Sequence, residues 1–298
     1  MPDALTERPL KLNLIGAGGV GTTLFRLFSG CKGVEVQDIH GRDAERLARA
    51  LAFIGSGRGV DDLAAMRAAD IWVLAVPDTR IGEVAGALAA LSPPGPAVAV
   101  HCSGFMPAQE MAPLGALGWS LASAHPVMTF ADPAAAAEGF AGTFVGMEGD
   151  ADAVARVAPV LEAVGARTFP IRDGGKPLYH GAAVMANNLA VVLQAVAREA
   201  WAEAGVPAEI AAALNKGLLD ATARNVDALG PQAALSGPAA RGDWDVVTRQ
   251  GNAVAAWHPD AAVSYRNLSL LARRLKQTGG TRQPVPEETP DDSKRDGR

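Results

Sequence analysis

The chain has 298 residues, of which 49% are hydrophobic and 20% charged, and its formal net charge is −5. This length suits two globular domains, and the acidic balance argues against a protein that binds nucleic acid. Its two cysteines, Cys31 and Cys102, lie far apart, so neither a disulfide nor a metal site is expected. We recognise no apolar run of membrane-spanning length and no secretion signal, which predicts a cytoplasmic protein without membrane partners.

The first part of the chain alternates strands and helices. LKLNLIG (10–16) is a short apolar strand, and VGTTLFRLFSG after it has the period of an amphipathic helix. Further strands are predicted at 34–39, 69–78, 96–104, 121–127, 142–149 and 166–171, and helices at 43–54 and 150–164. Continuous apolar strands that alternate with helices are typical of a parallel sheet covered on both faces. Residues 10–173 are therefore predicted to form an α/β, doubly wound Rossmann domain.

The second part of the chain, residues 174–276, has helical patterns and no convincing strand. Helices are predicted at 177–204, 207–229, 244–252 and 259–276. This part is predicted to be an all-α domain for substrate binding and dimerisation. Residues 277–298 are polar and rich in Pro and Gly, which predicts a disordered tail.

A dinucleotide-binding motif lies between the first strand and the first helix. GAGGVG (16–21) fits G-x-G-x-x-G in the structural context that this motif requires. Gly16 would permit the tight turn, Gly18 would let the pyrophosphate approach, and Gly21 would allow close packing of helix on strand. The free N–H groups at the helix N-terminus would face the phosphates. The predicted cofactor-binding residues of this loop are Gly16, Ala17, Gly18, Gly19, Val20 and Gly21.

The choice between NADP and NAD depends on where the second strand ends. In VQDIHGRDAERL, Gly41 and Arg42 lie about 20 residues after the glycines, where a small residue and an arginine suit the 2′-phosphate of NADP. Asp38 is the alternative, because a carboxylate at the strand end would bind the ribose hydroxyl of NAD. The sequence favours NADP, bound through Arg42.

Two later strands are expected to end at the same edge of the sheet. AVPD (75–78) and HCSG (101–104) both follow apolar runs, and open α/β sheets bind their ligands at this edge. Val76, Pro77 and Ser103 are therefore predicted to contact the cofactor. The alternative for both segments is a tight strand exit without a ligand.

Seven strings resemble a Rossmann-like family that carries the domain of unknown function 2520 at its C-terminus. They are GAGGVG, DIHGRDAERLA, AVPD, HCSG, AHPVMTF, KPLYHGAAVMANN and ALSGPAARGD, and they run from about Leu10 to Tyr265. That family is similar in architecture to the β-hydroxyacid dehydrogenases, ketopantoate reductase and pyrroline-carboxylate reductase. The resemblance implies an NADP-dependent oxidoreductase and, by analogy with these reductases, a homodimer. It implies no particular substrate.

The chain departs from the β-hydroxyacid dehydrogenases at one position. Those enzymes place a catalytic lysine one turn before an asparagine on the first helix of the second domain. Here Ala183 lies one turn before Asn187, and the body of the helix contains no lysine. The hydroxyacid mechanism is therefore not carried over to this chain.

The candidate catalytic residues are two histidines and an asparagine. His180 and Asn187 share one face of the helix predicted at 177–204. His180 would protonate a carbonyl that receives hydride, and Asn187 would orient the substrate. His125, at a strand end in SAHPVMTF, is a second candidate for the general acid. For each histidine the alternative is a structural side chain with a satisfied ring.

Two cations complete the predicted site. Lys176 stands at a helix N-terminus, where positive charge is unfavourable, and we expect it, with Tyr179, to supplement the catalytic residues or to bind an anion. Its alternative is a solvated lysine. Arg241, in SGPAARGD, would grip a substrate carboxylate or phosphate in a bidentate manner, and its alternative is a structural pair with Asp243.

The sequence thus predicts an oxidoreductase that transfers hydride between NADP(H) and a small carbonyl, imine or hydroxyl compound. A non-catalytic dinucleotide-binding sensor is the alternative function, and the missing helix lysine favours it. The other histidines are expected outside the site, with His101 inside the sheet and His40 and His258 on the surface.

Overall fold

The computed structural model describes residues 8–283. The chain divides after Asn188 into two compact units. The first unit contains an eight-stranded sheet with flanking helices, and the second is helical. Most of the predicted tail lies outside the described residues, and the last helix continues to Thr278, into the range predicted to be disordered.

The sheet of the first unit has the strand order β3-β2-β1-β4-β5-β6-β7-β8. Neighbouring strands are parallel except for β6 and β7, which are antiparallel. The strands are β1 Leu10–Ile15, β2 Val34–His40, β3 Arg58–Val60, β4 Ile71–Leu74, β5 Val98–His101, β6 Ser120–Pro126, β7 Phe144–Gly149 and β8 Arg167–Pro170. The predicted doubly wound α/β fold is confirmed.

The helices of the first unit begin and end at recognisable signals. Asp43 caps the second helix, because its side chain accepts a hydrogen bond from the Arg46 N–H at 2.9 Å. Gly55 ends that helix in the left-handed conformation, with φ of 75°. The helices are α1 Gly19–Phe28, α2 Ala44–Ile54, α3 Ile81–Ala90, α4 Ala112–Gly115, α5 Pro133–Glu138, α6 Ala151–Glu162 and α7 Lys176–Ala186.

Two apolar layers cover the two faces of this sheet. Because successive side chains of a strand point to opposite faces, Leu14 joins the cluster that includes Phe25, whereas Ile15 joins the opposite cluster. Val73 and Leu74 divide between the faces in the same way. Each fully buried side chain of this size contributes about 1.5–3 kcal/mol. These two apolar layers stabilise the sheet and hold its neighbouring strands in register.

The second strand is one residue longer than predicted. It runs through His40, which is 8% exposed and whose Nδ1 lies 3.1 Å from the carbonyl oxygen of Val60 on β3. The prediction that His40 is a surface residue was therefore wrong. Strand β3 was not predicted, because its three residues contain only one apolar side chain.

The second unit contains no strand between residues 189 and 283, as predicted. Its helices are α8 Asn188–Glu203, α9 Ala208–Leu229, α10 Pro231–Ala234, α11 Pro238–Arg241, α12 Trp244–Trp257 and α13 Pro259–Thr278. His258, predicted as a surface residue, is partly buried, and its ring nitrogen accepts the Ala261 N–H at the start of α13.

The single helix predicted at 177–204 is divided in the structure. Asn187 caps the end of α7 with φ of −116° and ψ of −72°, and α8 begins at the next residue. Helix α7 belongs to the first unit, whereas the predicted domain boundary placed it in the second. The reason is that side chains on its first turn bond to the sheet, notably Lys176 and Tyr179.

One helical stretch passes a length and composition test for membrane spanning. Lys176–Glu203 comprises 28 residues with a mean hydropathy of 1.3, and none of its apolar window is buried. This stretch contrasts with the prediction that the chain has no apolar run of membrane-spanning length. A single helix of this kind is weak evidence for a membrane span.

Candidate functional site

A cleft opens where four parallel strands end. Strand β1 lies between β2 and β4, so the order of the strands reverses at β1 and β4, and open α/β sheets bind ligands at such a point. The cleft has a volume of about 640 Å³ and lies entirely within the first unit. It is lined by residues that follow β1, β2, β4 and β5.

The glycine-rich loop forms the floor of this cleft. Gly16 has φ of 108°, and a Cβ at this position would lie 2.4 Å from the carbonyl oxygen of Ala75, so no side chain fits. Gly18 is the N-cap of α1, where no side chain caps the helix and the first turn carries no acid. The N–H groups of this turn can therefore receive a pyrophosphate, so the loop fits a dinucleotide.

Five of the six predicted loop residues line the cleft. They are Gly16, Ala17, Gly18, Gly19 and Val20. Gly21 lies beneath them, and a Cβ there would lie 2.6 Å from the carbonyl oxygen of Gly16. Its place is in the packing of α1 on β1, which is the role that the motif gives to its third glycine.

Asp38 is not available to a ligand. It lies within β2, is fully buried, and accepts hydrogen bonds from the guanidinium groups of Arg58 and Arg67 and from the Arg67 N–H. Burial opposes its ionisation, but the hydrogen bonds from Arg67 and Arg58 outweigh burial and lower the pKa of Asp38 to about 2. The carboxylate of Asp38 is therefore not free to bind the ribose of NAD, as the alternative cofactor assignment requires.

Two arginines line the cleft beyond the end of β2. Arg42 was predicted there, and Arg46 joins it one turn later, on the first turn of α2. Arg46 was missed, although Asp43 three residues earlier is a recognisable N-cap signal that predicts where the helix begins. Asp43 lines this end as well, and its carboxylate accepts the Arg46 N–H, so the end of the cleft nearest β2 carries two cations and one capping carboxylate.

The other end of the cleft follows β4 and β5. Val76, Pro77 and Ser103 line it, at the positions predicted for them. Cys102 lines it as well, and burial raises the pKa of its thiol to about 12. The thiol is therefore protonated at neutral pH and does not serve as a nucleophile.

Lys176 lies beneath Ser103 and is almost completely buried, with 2% exposure. Its Nζ donates hydrogen bonds to the carbonyl oxygen of Ser103 and to the Oγ of Ser123. No carboxylate of the described chain forms an ion pair with it, and Glu148 acts on it only at longer range. Burial lowers the pKa of Lys176 to about 8, an effect that Glu148 partly offsets. The alternative prediction that Lys176 is a solvated lysine is therefore wrong, and its side chain is a buried ammonium.

Beside Ser103 lies a cluster of aromatic side chains from β6 and α7. The Tyr179 hydroxyl lies 2.9 Å from Nδ1 of His125, and the ring of His180 lies 5.9 Å from that of His125. Gly104 closes the cluster, because a Cβ on it would lie 2.9 Å from Nε2 of His125 and 2.5 Å from Cδ2 of His180. Burial, with Lys176 and His180 as further causes, lowers the pKa of His125 to about 4. The imidazole of His125 is therefore neutral at pH 7.

His101 has the structural role predicted for it. It is fully buried, its Nδ1 accepts the Ser103 N–H, and its Nε2 lies 3.0 Å from the carbonyl oxygen of Pro107. Burial lowers its pKa to about 4. His101 thus shapes the turn after β5, and both ring nitrogens are occupied.

Two predicted residues are not part of this cluster. Asn187 is exposed at the end of α7, two turns after His180, and its side chain forms no hydrogen bond with the described residues. Arg241 lies in the second unit, is exposed, and pairs with Asp243 at 3.0 Å, as in the structural alternative. The structure brings together His125, His180 and Lys176, and adds Tyr179 and Gly104.

The C-terminal part of the first unit and most of the second unit match a known family. Residues 143–272 match the family described as a domain of unknown function, DUF2520. No curated protein is detectably similar to the chain in sequence. The match begins at β7 and covers the rest of the chain as far as α13.

Several solved structures share the fold over about nine-tenths of the chain. Protein TM1727 from Thermotoga maritima is 29% identical, with a TM-score of 0.72 over 90% of this chain and 99% of its own. A provisionally named NADP oxidoreductase from Bacteroides fragilis, 21% identical, gives 0.67 over 89% and 98%. An imine reductase from a Pseudomonas species, 17% identical, gives 0.59 over 92% and 96%. The last two show a common fold.

The family match contains the last two of the strings in the sequence that pointed to it, KPLYHGAAVMANN and ALSGPAARGD, whereas the other five strings precede residue 143. The strand order and the glycine-rich turn account for the part of the chain that precedes the match. The first unit of the chain thus has a Rossmann-like fold, and residues 143–272 match the family described as domain of unknown function 2520.

Proposed function

We propose that this protein is an NADP(H)-dependent reductase or dehydrogenase that acts on a small carbonyl, imine or hydroxyl compound. One observation carries the proposal: a single cleft joins a phosphate-binding turn and two arginines to a residue, Ser103, that adjoins a partly buried histidine cluster. The first feature suits a dinucleotide, and the second suits proton transfer next to it. Oxidoreductases among the proteins of similar fold support the same class of reaction.

The cofactor would be held at three places along the cleft. The N–H groups after Gly18 would bind the pyrophosphate. Arg42 and Arg46 would bind the 2′-phosphate of NADP, for which paired guanidinium groups are suited. Val76 and Ser103 would lie against the nicotinamide end. Because the carboxylate of Asp38 is already bonded to two arginines, NADP is the better match than NAD.

The protein would supply orientation and a proton, while NADPH, when bound, supplies a hydride. A Tyr179 hydroxyl that donates to Nδ1 leaves the proton of the neutral His125 ring on Nε2. A neutral imidazole can polarise a carbonyl oxygen and donate this proton to it. His180 packs against His125 and helps to hold the ring in place. His125 is thus the candidate general acid, with Tyr179 as its positioning residue.

The first test is a titration of the purified protein with NADPH and with NADH, followed by tryptophan fluorescence. We expect Arg42→Ala to weaken NADPH binding about 10- to 100-fold, which corresponds to the ~1.5–3 kcal/mol of a hydrogen bond to a charged group. Binding of NADH should change little. Arg49→Ala is the matched control, since Arg49 is exposed on α2 and does not line the cleft.

Other outcomes would change the proposal in defined ways. Preference for NADH, unaffected by Arg42→Ala, would contradict the assignment of the arginines. Failure to bind either nucleotide would contradict the proposal as a whole.

Turnover separates an enzyme from a sensor. In a screen of carbonyl and imine compounds with NADPH, His125→Gln should lower the rate about 10²- to 10⁴-fold, the usual contribution of general acid catalysis, without loss of NADPH binding. A sensor would bind NADPH and turn over none of the compounds. The absence of a free lysine on α7 favours the sensor, since Lys176 is bonded to Ser103 and Ser123.

We also propose that the second unit associates with a second copy of this chain. Helix α8 has no buried residue, and α9 buries only Ala211 and Asn215. Several of their apolar side chains are more than half exposed, among them Val191, Val192 and Leu218. Exposed large apolar side chains in this number are typical of an interface. Charged residues of α8 fit a water-soluble homodimer in the cytoplasm better than a membrane span.

A further inference from the structure

The peptide group between Ser103 and Gly104 is held firmly on one side. Its carbonyl oxygen accepts hydrogen bonds from Nζ of Lys176 and from Oγ of Ser123, the second at 3.2 Å. Lys176 also donates to that Oγ at 2.5 Å. Both lone pairs of the carbonyl oxygen are therefore occupied, one of them by a buried cation.

The other side of the same peptide carries a buried N–H without a partner. Gly104 is buried, and its N–H forms no hydrogen bond with any residue from 8 to 283. The peptide is trans, so its N–H points away from its C=O and hence away from Lys176. A buried donor left unsatisfied costs about 1–3 kcal/mol, which an acceptor on a ligand would recover.

A second polar atom without a hydrogen-bond partner in the described chain lies beside the Cα of Gly104. The place that a Cβ on Gly104 would occupy is 2.9 Å from Nε2 of His125. That nitrogen has no hydrogen bond within the described part of the chain, whereas Nδ1 of the same ring bonds to Tyr179. Two potential donors therefore lie on or beside Gly104, the residue that follows Ser103, and Ser103 lines the cleft.

We propose that the Gly104 N–H and Nε2 of His125 together bind one oxygen atom of the substrate, and that Lys176 is the positioning residue that holds the peptide for it. This inference rests on the proposed function and narrows its substrate class to ketones and aldehydes, in preference to iminium ions. A carbonyl oxygen has lone pairs for both donors, and it gains negative charge as the carbon is reduced.

An iminium ion fits this site poorly for two reasons. Its nitrogen has no lone pair to accept either hydrogen bond. Its positive charge would lie within one peptide group of the Lys176 ammonium, and like charges repel more strongly in a buried site than in water. The same ammonium strengthens the site for an oxygen, because hydrogen bonds in a chain polarise one another by about 10–30% per bond.

The test follows the Gly104 amide resonance by NMR in ¹⁵N-labelled protein loaded with NADP⁺. The probes are 1-tetralone, a ketone, and N-methyl-3,4-dihydroisoquinolinium, a permanent iminium ion of similar size. We expect 1-tetralone to move the Gly104 amide proton downfield in a saturable manner and the iminium ion to leave it unmoved. No response to the ketone, or an equal response to both probes, overturns the inference.

The role of Lys176 is tested with Lys176→Met. We expect the response of Gly104 to 1-tetralone to be lost while NADPH affinity is retained. Lys216→Met is the matched control, since Lys216 is an exposed lysine of α9. A lysine with only a structural role would lower the melting temperature and leave the response intact, and that result would overturn the assignment.

A second variant keeps the test decisive if Lys176→Met does not fold. Ser123→Ala removes one of the two donors to the Ser103 carbonyl and keeps the ammonium, so the response should become weaker and persist. An unchanged response would contradict the role given to this hydrogen-bonded group. If the wild-type protein binds NADPH but its Gly104 resonance does not respond to 1-tetralone, this inference alone is contradicted. If the wild-type protein does not bind NADPH, the proposed function is contradicted.

Discussion

The Tyr179 hydroxyl on α7 lies 2.9 Å from Nδ1 of His125 on β6, 54 residues earlier in the chain. The two rings meet edge to face, with centroids 5.6 Å apart. This pair joins the first turns of α7 to the sheet and restrains the imidazole whose other nitrogen adjoins Gly104. The helix therefore orients a side chain that belongs to the sheet.

Acidification should destabilise the first unit through His125. Its pKa in the folded protein is lowered to about 4, so between pH 4 and the ordinary histidine value near 6.5 the unfolded chain binds more protons. The free energy of unfolding should therefore fall as the pH decreases through this range. In urea unfolding at pH 7 and pH 5, His125→Gln should show a smaller difference between the two pH values than the wild type.

Tyr179→Phe provides the comparison, because it removes the hydrogen bond and keeps the imidazole. It should retain the wild-type dependence on pH. An unchanged pH dependence in His125→Gln would show that His125 does not contribute this titration.

Asp38→Asn should destabilise the protein without weakening NADPH binding. The neutral amide would leave the guanidinium groups of Arg58 and Arg67 without their carboxylate. Because both arginines are about half exposed and water partly replaces the lost partner, we expect a loss of about 2 kcal/mol, below the 3–5 kcal/mol of a fully buried pair. Urea unfolding at pH 7 measures it.

Asp61→Asn, at an exposed position, is the control and should change the stability little. If Asp38→Asn instead abolished NADPH binding in a protein of normal stability, Asp38 would have to be a cofactor ligand after all.

Gly104→Ala should disturb the histidine cluster selectively. The new methyl group would overlap Cδ2 of His180 and the ring of His125, so the rings must move, at a cost of about 1–3 kcal/mol for overpacking. We expect the NMR signals of both imidazoles to shift and the rate of NADPH-dependent turnover to fall. NADPH binding at the glycine-rich turn should be retained.

Gly86→Ala is the matched control for this substitution. Gly86 lies in α3 with no atom within 4 Å of an added Cβ, so alanine there should stabilise the helix by about 0.5–1 kcal/mol. Undisturbed imidazole signals in Gly104→Ala would contradict the packing described for the cluster.

The exposed apolar surface of the second unit should control the oligomeric state. Val191→Glu and Leu218→Glu place charges on side chains that are 64% and 58% exposed, and they should convert a dimer to a monomer in sedimentation analysis. Arg198→Glu, which changes the charge on an exposed residue of α8, is the control and should leave the dimer intact. A wild-type monomer at all concentrations would contradict the proposed association.

Local patterns were sufficient to predict the parts of the site that belong to one segment. GAGGVG lies between a strand and a helix, and Asp43 marks the start of α2, so the floor of the cleft and its end nearest β2 follow from neighbouring residues. The element types of the sheet were predicted for the same reason, since long apolar runs show strands and helices by their period. The short β3 has no such run.

The histidine cluster could not be predicted in the same way, because its members are far apart in the chain. The burial of Lys176 depends on the hydroxyl of Ser123 and the carbonyl of Ser103, and no spacing shows that these atoms meet. His40 was predicted to lie in a loop because the predicted strand ended at residue 39. The strand includes His40, and its side chain is therefore buried. Asn187 follows the same helix as His180 and was predicted on the same face. It is nevertheless exposed and is not part of the histidine cluster.

The antiparallel seam between β6 and β7 has a consequence for protein production. The DUF2520 match begins at residue 143, next to the first residue of β7, so its boundary coincides with this seam inside the sheet. A fragment cut at that boundary would carry β7 and β8 with the backbone groups of one strand edge exposed along five residues. Such an open edge invites pairing with other chains, so expression of the matched segment in isolation should yield aggregates.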